Sequence, residues 1–145
     1  MIRSLSLVLA LGASMTVISV RAADAPVYEK LPDGWEKLGV ADLPTSAARS
    51  ADPKGFLEAA GDFDGDGKPD TAALYISRGL GKFAVFVTLA PNRIAKVTDG
   101  QLRQAANFGI KTGAKGAKGD TIAYFRLGSP EKLYAWTGAG FAEAP

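Results

Sequence analysis

The sequence predicts a mainly β protein. The expected architecture is one antiparallel, blade-like meander sheet carrying an aspartate-rich loop and at most one short helix, with α+β as the second choice. Three observations predict it. Residues 71–77 (TAALYIS) and 83–89 (FAVFVTL) are apolar on both alternating sets, as strands covered on both faces are. Turn-rich tetrads, Gly79-Leu80-Gly81-Lys82 and Gly128-Ser129-Pro130-Glu131, join consecutive apolar runs at hairpin length. The 145 residues suffice for one ordinary domain and not for two.

The first segment is expected to lie outside that domain. Arg3 precedes a diluted apolar run from Leu5 to Val20, and Val20 and Ala22 stand at the minus-three and minus-one positions of a cut after Ala22. A charged start, a short apolar core and small residues at the cut form a secretory signal peptide over residues 1–22, with Ala25 as a second cleavage position. The alternative is an uncleaved membrane anchor, but a span needs about 20 strongly apolar residues. Here Ser6, Gly12, Ser14, Thr16 and Ser19 interrupt the run. The expected protein is exported, periplasmic or secreted, with no stable membrane span after cleavage. Loss of Arg3 and Arg21 then lowers Lys+Arg from 17 to 15, equal to the 15 Asp+Glu. A neutral domain has no electrostatic case for nucleic acid.

Residues 23–50 are broken by Pro26, Pro32, Asp33-Gly34 and Pro44, and Trp35 and Leu38 are expected to pack on the domain. Residues 42–49 read as a short helix with Pro44 in its first turn. Residues 71–77 and 83–89 form the first hairpin. Residues 101–106 fit a helical turn or a strand, and residues 107–111 lean towards a strand. Residues 121–127 (TIAYFRL) and 132–137 (KLYAWT) form the second hairpin, and Gly138-Ala139-Gly140 returns the chain to Phe141. Between the hairpins, residues 111–119 (KTGAKGAKG) lack the strand–loop–helix context of a phosphate loop. They read as a flexible, solvated surface loop without function.

Absences bound the chemistry. No cysteine excludes disulfides, thiol catalysis and thiolate metal sites, and no histidine excludes Ser-His-Asp triads and imidazole ligation. What remains is carboxylates, hydroxyls, Lys, Arg or a metal held through oxygen.

One segment concentrates such groups. In residues 61–72 (GDFDGDGKPDTA), Asp62, Asp64, Asp66 and Asp70 occupy positions 1, 3, 5 and 9 of a loop. Ca²⁺ takes six to eight hard oxygens at about 2.3–2.6 Å, and alternate residues of a curling chain aim carboxylates at one point. Gly67 at position 6 suits a sharp turn. Lys68 at position 7 would offer its backbone carbonyl, and Phe63 would anchor the loop in the core. Two unit charges about 4 Å apart repel by ~4 kcal/mol at an effective dielectric near 20. A solvated acidic turn accounts for one or two aspartates, not four in register with two glycines. Mg²⁺ fits less well, since it uses fewer protein ligands and keeps its waters.

An EF-hand would need a bidentate Glu at position 12, where Ala73 stands, and a following helix rather than a strand. The run G-D-x-[ND]-G-D-G-x-x-D before an apolar strand instead resembles the FG-GAP/VCBS calcium-loop repeat of integrin-α-like propellers and many exported bacterial proteins. Residues 61–70 match it throughout, and Thr71-Ala72-Ala73-Leu74 supply the strand. The resemblance implies a calcium site with Asp62, Asp64, Asp66 and Asp70 as side-chain ligands and Lys68 as a carbonyl ligand. The loop occurs once, so a multi-blade propeller is not expected. The organisation implied is a signal peptide, residues 1–22, and a single calcium-binding β domain, residues 23–145.

The expected function is non-enzymatic, with calcium stabilising the loop ahead of a central strand and the sheet serving an extracytoplasmic protein or polysaccharide partner, or a structural role. Two alternatives are a small glycosidase-like hydrolase using a pair among Glu29, Glu36, Glu58, Asp99, Asp120 and Glu131, and a binding module using Trp35, Tyr75, Tyr124, Tyr134 and Trp136. Aromatics at strand spacing more often fill cores.

Overall fold

The computed structural model describes residues 26–43 and 55–145. The signal peptide expected over residues 1–22, and residues 44–49 of the expected helix, lie outside the described residues. Within them the protein is mainly β, with ten strands in two antiparallel sheets and no α-helix. The strands are β1 (Val27–Tyr28), β2 (Glu36–Lys37), β3 (Glu58–Gly61), β4 (Asp70–Ser77), β5 (Lys82–Leu89), β6 (Arg93–Gln101), β7 (Phe108–Gly116), β8 (Gly119–Arg126), β9 (Lys132–Trp136) and β10 (Phe141–Glu143). Two 3-10 turns, Val40–Asp42 and Leu102–Asn107, supply the helical content.

The meander divides after β6. The first sheet has the order β1-β6-β5-β4-β2, and β3 shares with β2 the outer edge of β4. The second sheet is the plain meander β10-β9-β8-β7. Ala72, Leu74 and Ile76 of β4, Phe83, Val85, Val87 and Leu89 of β5, and Ala95 and Val97 of β6 face Ile110, Ile122, Tyr124 and Phe141 in one core between the sheets. That accounts for one apolar set of each central strand. The other set is covered by the N-terminal segment. Trp35 packs edge-on against Phe86 at 5.2 Å, with Tyr75 at 5.4 Å and Tyr28 at 6.4 Å from the same ring. Double-sided hydrophobicity thus reports a sheet packed on one face by a second sheet and on the other by its own N-terminal arm.

Residues 111–119 correct the expectation of a flexible loop. Most of them extend β7, which pairs with β8 down to the turn closed by Gly116 and Gly119. Glycine serves close packing there rather than mobility, since a Cβ at Gly113 would meet the Thr121 hydroxyl and the Leu133 side chain. Thr121 Oγ1 instead donates to the Ala114 carbonyl at 2.7 Å, across a break in the β7–β8 register. Strand β6, which the sequence reading leaves unassigned, alternates in burial and turns Ala95 and Val97 inward.

The two sheets touch most intimately through β3. It pairs with β4 on one side and its Ala60 carbonyl accepts from Thr112 Oγ1 at 2.6 Å, while Ile110 N–H donates at 2.8 Å to the carbonyl of Phe56, just ahead of the strand. The loop after β3 therefore starts at the junction of the sheets. Because Phe83 is fully buried in this core, Phe83→Ala should lower unfolding free energy by about 3–5 kcal/mol in a urea titration. Leu80→Ser, at a hairpin tip left 64% exposed, changes it by no more than about 0.5 kcal/mol.

Candidate metal centre

The loop between β3 and β4 is closed by its own strands, because Gly61 and Asp70 are register partners. Phe63 is fully buried and anchors the loop in the core as expected. Its N–H donates to Asp70 Oδ2 at 2.8 Å, so the anchor and the far end of the loop are tied directly. Beyond Phe63 the chain curls through successive side-chain-to-backbone turns. Asp66 N–H donates to Asp64 Oδ1 at 3.2 Å and Lys68 N–H to Asp66 Oδ1 at 2.8 Å, while Gly67 N–H closes back on Asp62 Oδ2 at 3.0 Å. Such bonds are the ordinary means by which aspartate organises a non-repetitive backbone. Gly67 has a φ of +83°, the left-handed conformation that position 6 demanded.

This curl brings three of the four aspartates together. Asp62, Asp64 and Asp70 each place a carboxylate oxygen within 4.8 Å of the other two, an arrangement able to hold a metal ion. Asp66 lies outside that group, exposed at the rim with one oxygen on Lys68 N–H. Lys68 is exposed beside it. Ala73, the residue at the EF-hand's twelfth position, is buried in β4.

The three carboxylates differ in what satisfies them. Asp70 is only 2% exposed and accepts from Phe63 N–H through Oδ2 and from Ala90 N–H, at 3.0 Å, through Oδ1. Asp64 meets the guanidinium of Arg93, with Nη2 at 3.0 Å from Oδ2, and Arg93 in turn lies 5.7 Å from the centre of the Trp136 ring. The Asp64 side chain is only 3% exposed. Burial therefore outweighs the bond from Asp66 N–H and the Arg93 charge, and together with the nearby Asp70 and Asp66 carboxylates it pushes the Asp64 carboxyl above its ordinary value of 3.8. Asp62 is the incomplete member. Its Oδ1 is buried and accepts no hydrogen bond from the described residues, although buried carboxylate oxygens are ordinarily paired.

Two neighbours of the loop come from distant sequence. Arg93 at the start of β6 carried no signal in its flanking residues. In the sequence Asp120 is only one of six dispersed carboxylates. It accepts from Asp62 N–H through Oδ2 at 2.9 Å and donates its own N–H to the Asp62 carbonyl at 2.8 Å.

Of the other carboxylates, Glu36 pairs with Arg78, Glu58 with Lys37, Asp99 with Lys96 and Lys82, and Glu131 with Lys111. Glu29 is exposed and lines a shallow depression with Thr88, Pro91 and Arg93. The five aromatics considered for ligand binding all make ring contacts inside the fold: Trp35 and Tyr75 with Phe86, Tyr124 with Tyr134, and Trp136 with Phe141. Compared with protein-family models, curated proteins and solved structures, the chain matches none of them.

The raised Asp64 carboxyl has a definite sign. Above pH 3.8 the folded chain holds its proton more tightly than the unfolded chain, so this group's contribution to stability falls as pH rises through the folded value. In chelator, unfolding free energy measured from pH 3.8 upward should fall more steeply for the wild type than for Asp64→Asn, which has no carboxyl to ionise there. A cation that takes the ionised form should bind more tightly as pH rises over the same range.

Proposed function

We propose that this chain is an exported, non-enzymatic calcium-binding domain whose ion stabilises the loop joining β3 to the central strand β4. The observation that carries the reading is the convergence of Asp62, Asp64 and Asp70, with Asp62 keeping a buried Oδ1 that accepts no hydrogen bond from the described residues. An all-oxygen, carboxylate-rich donor set suits a hard cation, and calcium tolerates the irregular geometry that a short loop provides. The donors in hand fall short of six. Asp66, the Lys68 carbonyl and water are the sources from which the proposed sphere is completed. The resemblance of residues 61–70 to the FG-GAP/VCBS loop supports the same ion, and the features of residues 1–22 support export to a calcium-containing compartment.

The proposed role is structural. Three anionic side chains brought within 4.8 Å of one another oppose loop closure, and Arg93 offsets only part of that repulsion, from one side of Asp64. A bound divalent ion removes the remainder and holds β4 at its first residue. A sheet held in this way offers a stable surface to an extracytoplasmic protein or polysaccharide partner.

Thermal unfolding in calcium and in chelator tests the proposal. At a free calcium concentration 100-fold above its dissociation constant, the ion adds ~2.7 kcal/mol. For a domain of this size that raises Tm by roughly 10 °C. Asp64→Ala should abolish the response. Equal responses in wild type and variant would show that calcium acts elsewhere.

A further inference from the structure

The turn between β7 and β8, in the lysine- and glycine-alternating segment, packs directly on the aspartate loop. Its contact is a pair of backbone surfaces stripped of side chains. A Cβ on Gly119 would collide with the Asp62 carbonyl, and a Cβ on Gly65 with the Lys118 carbonyl. Gly119 and Gly65 have φ of +127° and +74°, so both positions call for glycine in conformation as well as in space. Gly61 repeats the pattern, since a Cβ there would lie 2.9 Å from Asp120 Oδ2. Through this gap Asp120 fixes both polar groups of the Asp62 peptide backbone, accepting from its N–H at 2.9 Å and donating to its carbonyl at 2.8 Å. The Asp62 side chain is held separately, by Gly67 N–H on Oδ2, which leaves Oδ1 uncommitted. Lys118 Nζ donates to the Thr137 carbonyl at 2.8 Å and ties the turn to the end of β9.

We propose that Asp120 is a positioning residue for the metal loop: it sets the backbone of Asp62 so that Oδ1 faces the ion, and calcium binding in turn locks the β7–β8 turn of the second sheet onto the first. The inference rests on the calcium reading above. Asp120 is not one of the three converging carboxylates, so it acts through Asp62 and through hydrogen bonding rather than through charge. Coupling between two sites is reciprocal: what Asp120 contributes to calcium affinity, calcium returns to the order of the turn.

The test is calorimetric titration of the chain and its variants with calcium chloride, together with hydrogen exchange at the Asp120 amide. Asp120→Ala should weaken calcium binding about tenfold, within the usual range of coupling between sites. Asp120→Asn retains an oxygen able to accept from Asp62 N–H and should stay within about threefold of wild type. In the wild type, calcium should slow exchange of the Asp120 amide about fivefold or more. If Asp120→Ala fails to fold, Asp120→Ser and the wild-type exchange measurement carry the comparison. A folded Asp120→Ala with wild-type affinity overturns the positioning role while leaving the calcium reading intact, and unchanged exchange does the same. Equal weakening in the Ala and Asn variants assigns the effect to charge and also overturns it. Wild-type protein that binds no calcium overturns both readings together.

Discussion

Asp70 is the point at which loop, central strand and connecting turn are joined. Its backbone opens β4 in register with Gly61, and its side chain, nearly sealed from solvent, accepts from Phe63 N–H in the loop and from Ala90 N–H after β5. A buried carboxylate with two backbone donors is held firmly, because removing it would strand the buried Phe63 donor and leave the part-buried Ala90 donor without its acceptor. That constraint orders the rest. The Phe63 ring is drawn under the loop, the loop is forced to curl within eight residues, and Asp62 and Asp64 are carried towards Asp70. Charge concentration is thus a consequence of how β3 and β4 are closed, and the proposed ion is the means of offsetting it.

The place of the loop in the fold gives this local arrangement a wider reach. Strand β3 bridges the sheets through its pairing with β4 and the bond its Ala60 carbonyl accepts from Thr112, and Phe56, just ahead of it, adds the bond from Ile110 N–H. Asp120 attaches the loop to β8, and Arg93 links Asp64 to the Trp136 face of β9. The core between the sheets supplies most of the favourable burial. Burial, however, is not directional, and it is these polar attachments that fix how one sheet is set against the other.

Much of this was legible in the sequence, for physical reasons that also explain what was not. The doubly apolar patterns of β4 and β5, the hairpin tetrads and the aspartate register are local signals, and each marks an element at or near its expected residues. Phe63 was readable as an anchor because one apolar residue in an acidic loop has few other uses. Residues 111–119 misled because Gly-Lys alternation looks the same whether glycine confers mobility or permits close approach; only Thr121, Leu133 and Asp62 as neighbours distinguish the two. Strand β6 was missed because its inward set, Ala95 and Val97, is small and interrupted by Lys96 and Asp99. Asp66 shares the register of the other aspartates yet stands apart from them, since spacing gives direction along the chain but not the curl that Gly65 and Gly67 impose. Asp120 lies 58 residues from Asp62, and nothing local to either position points to the other.

The most direct measurement is the anomalous scattering of crystals grown with calcium. The account predicts one anomalous peak at the loop, with Oδ1 of Asp62 and oxygens of Asp64 and Asp70 about 2.3–2.6 Å from it. Absence of a peak there at saturating calcium, or an ion that leaves Asp62 Oδ1 out of its coordination sphere, would contradict it.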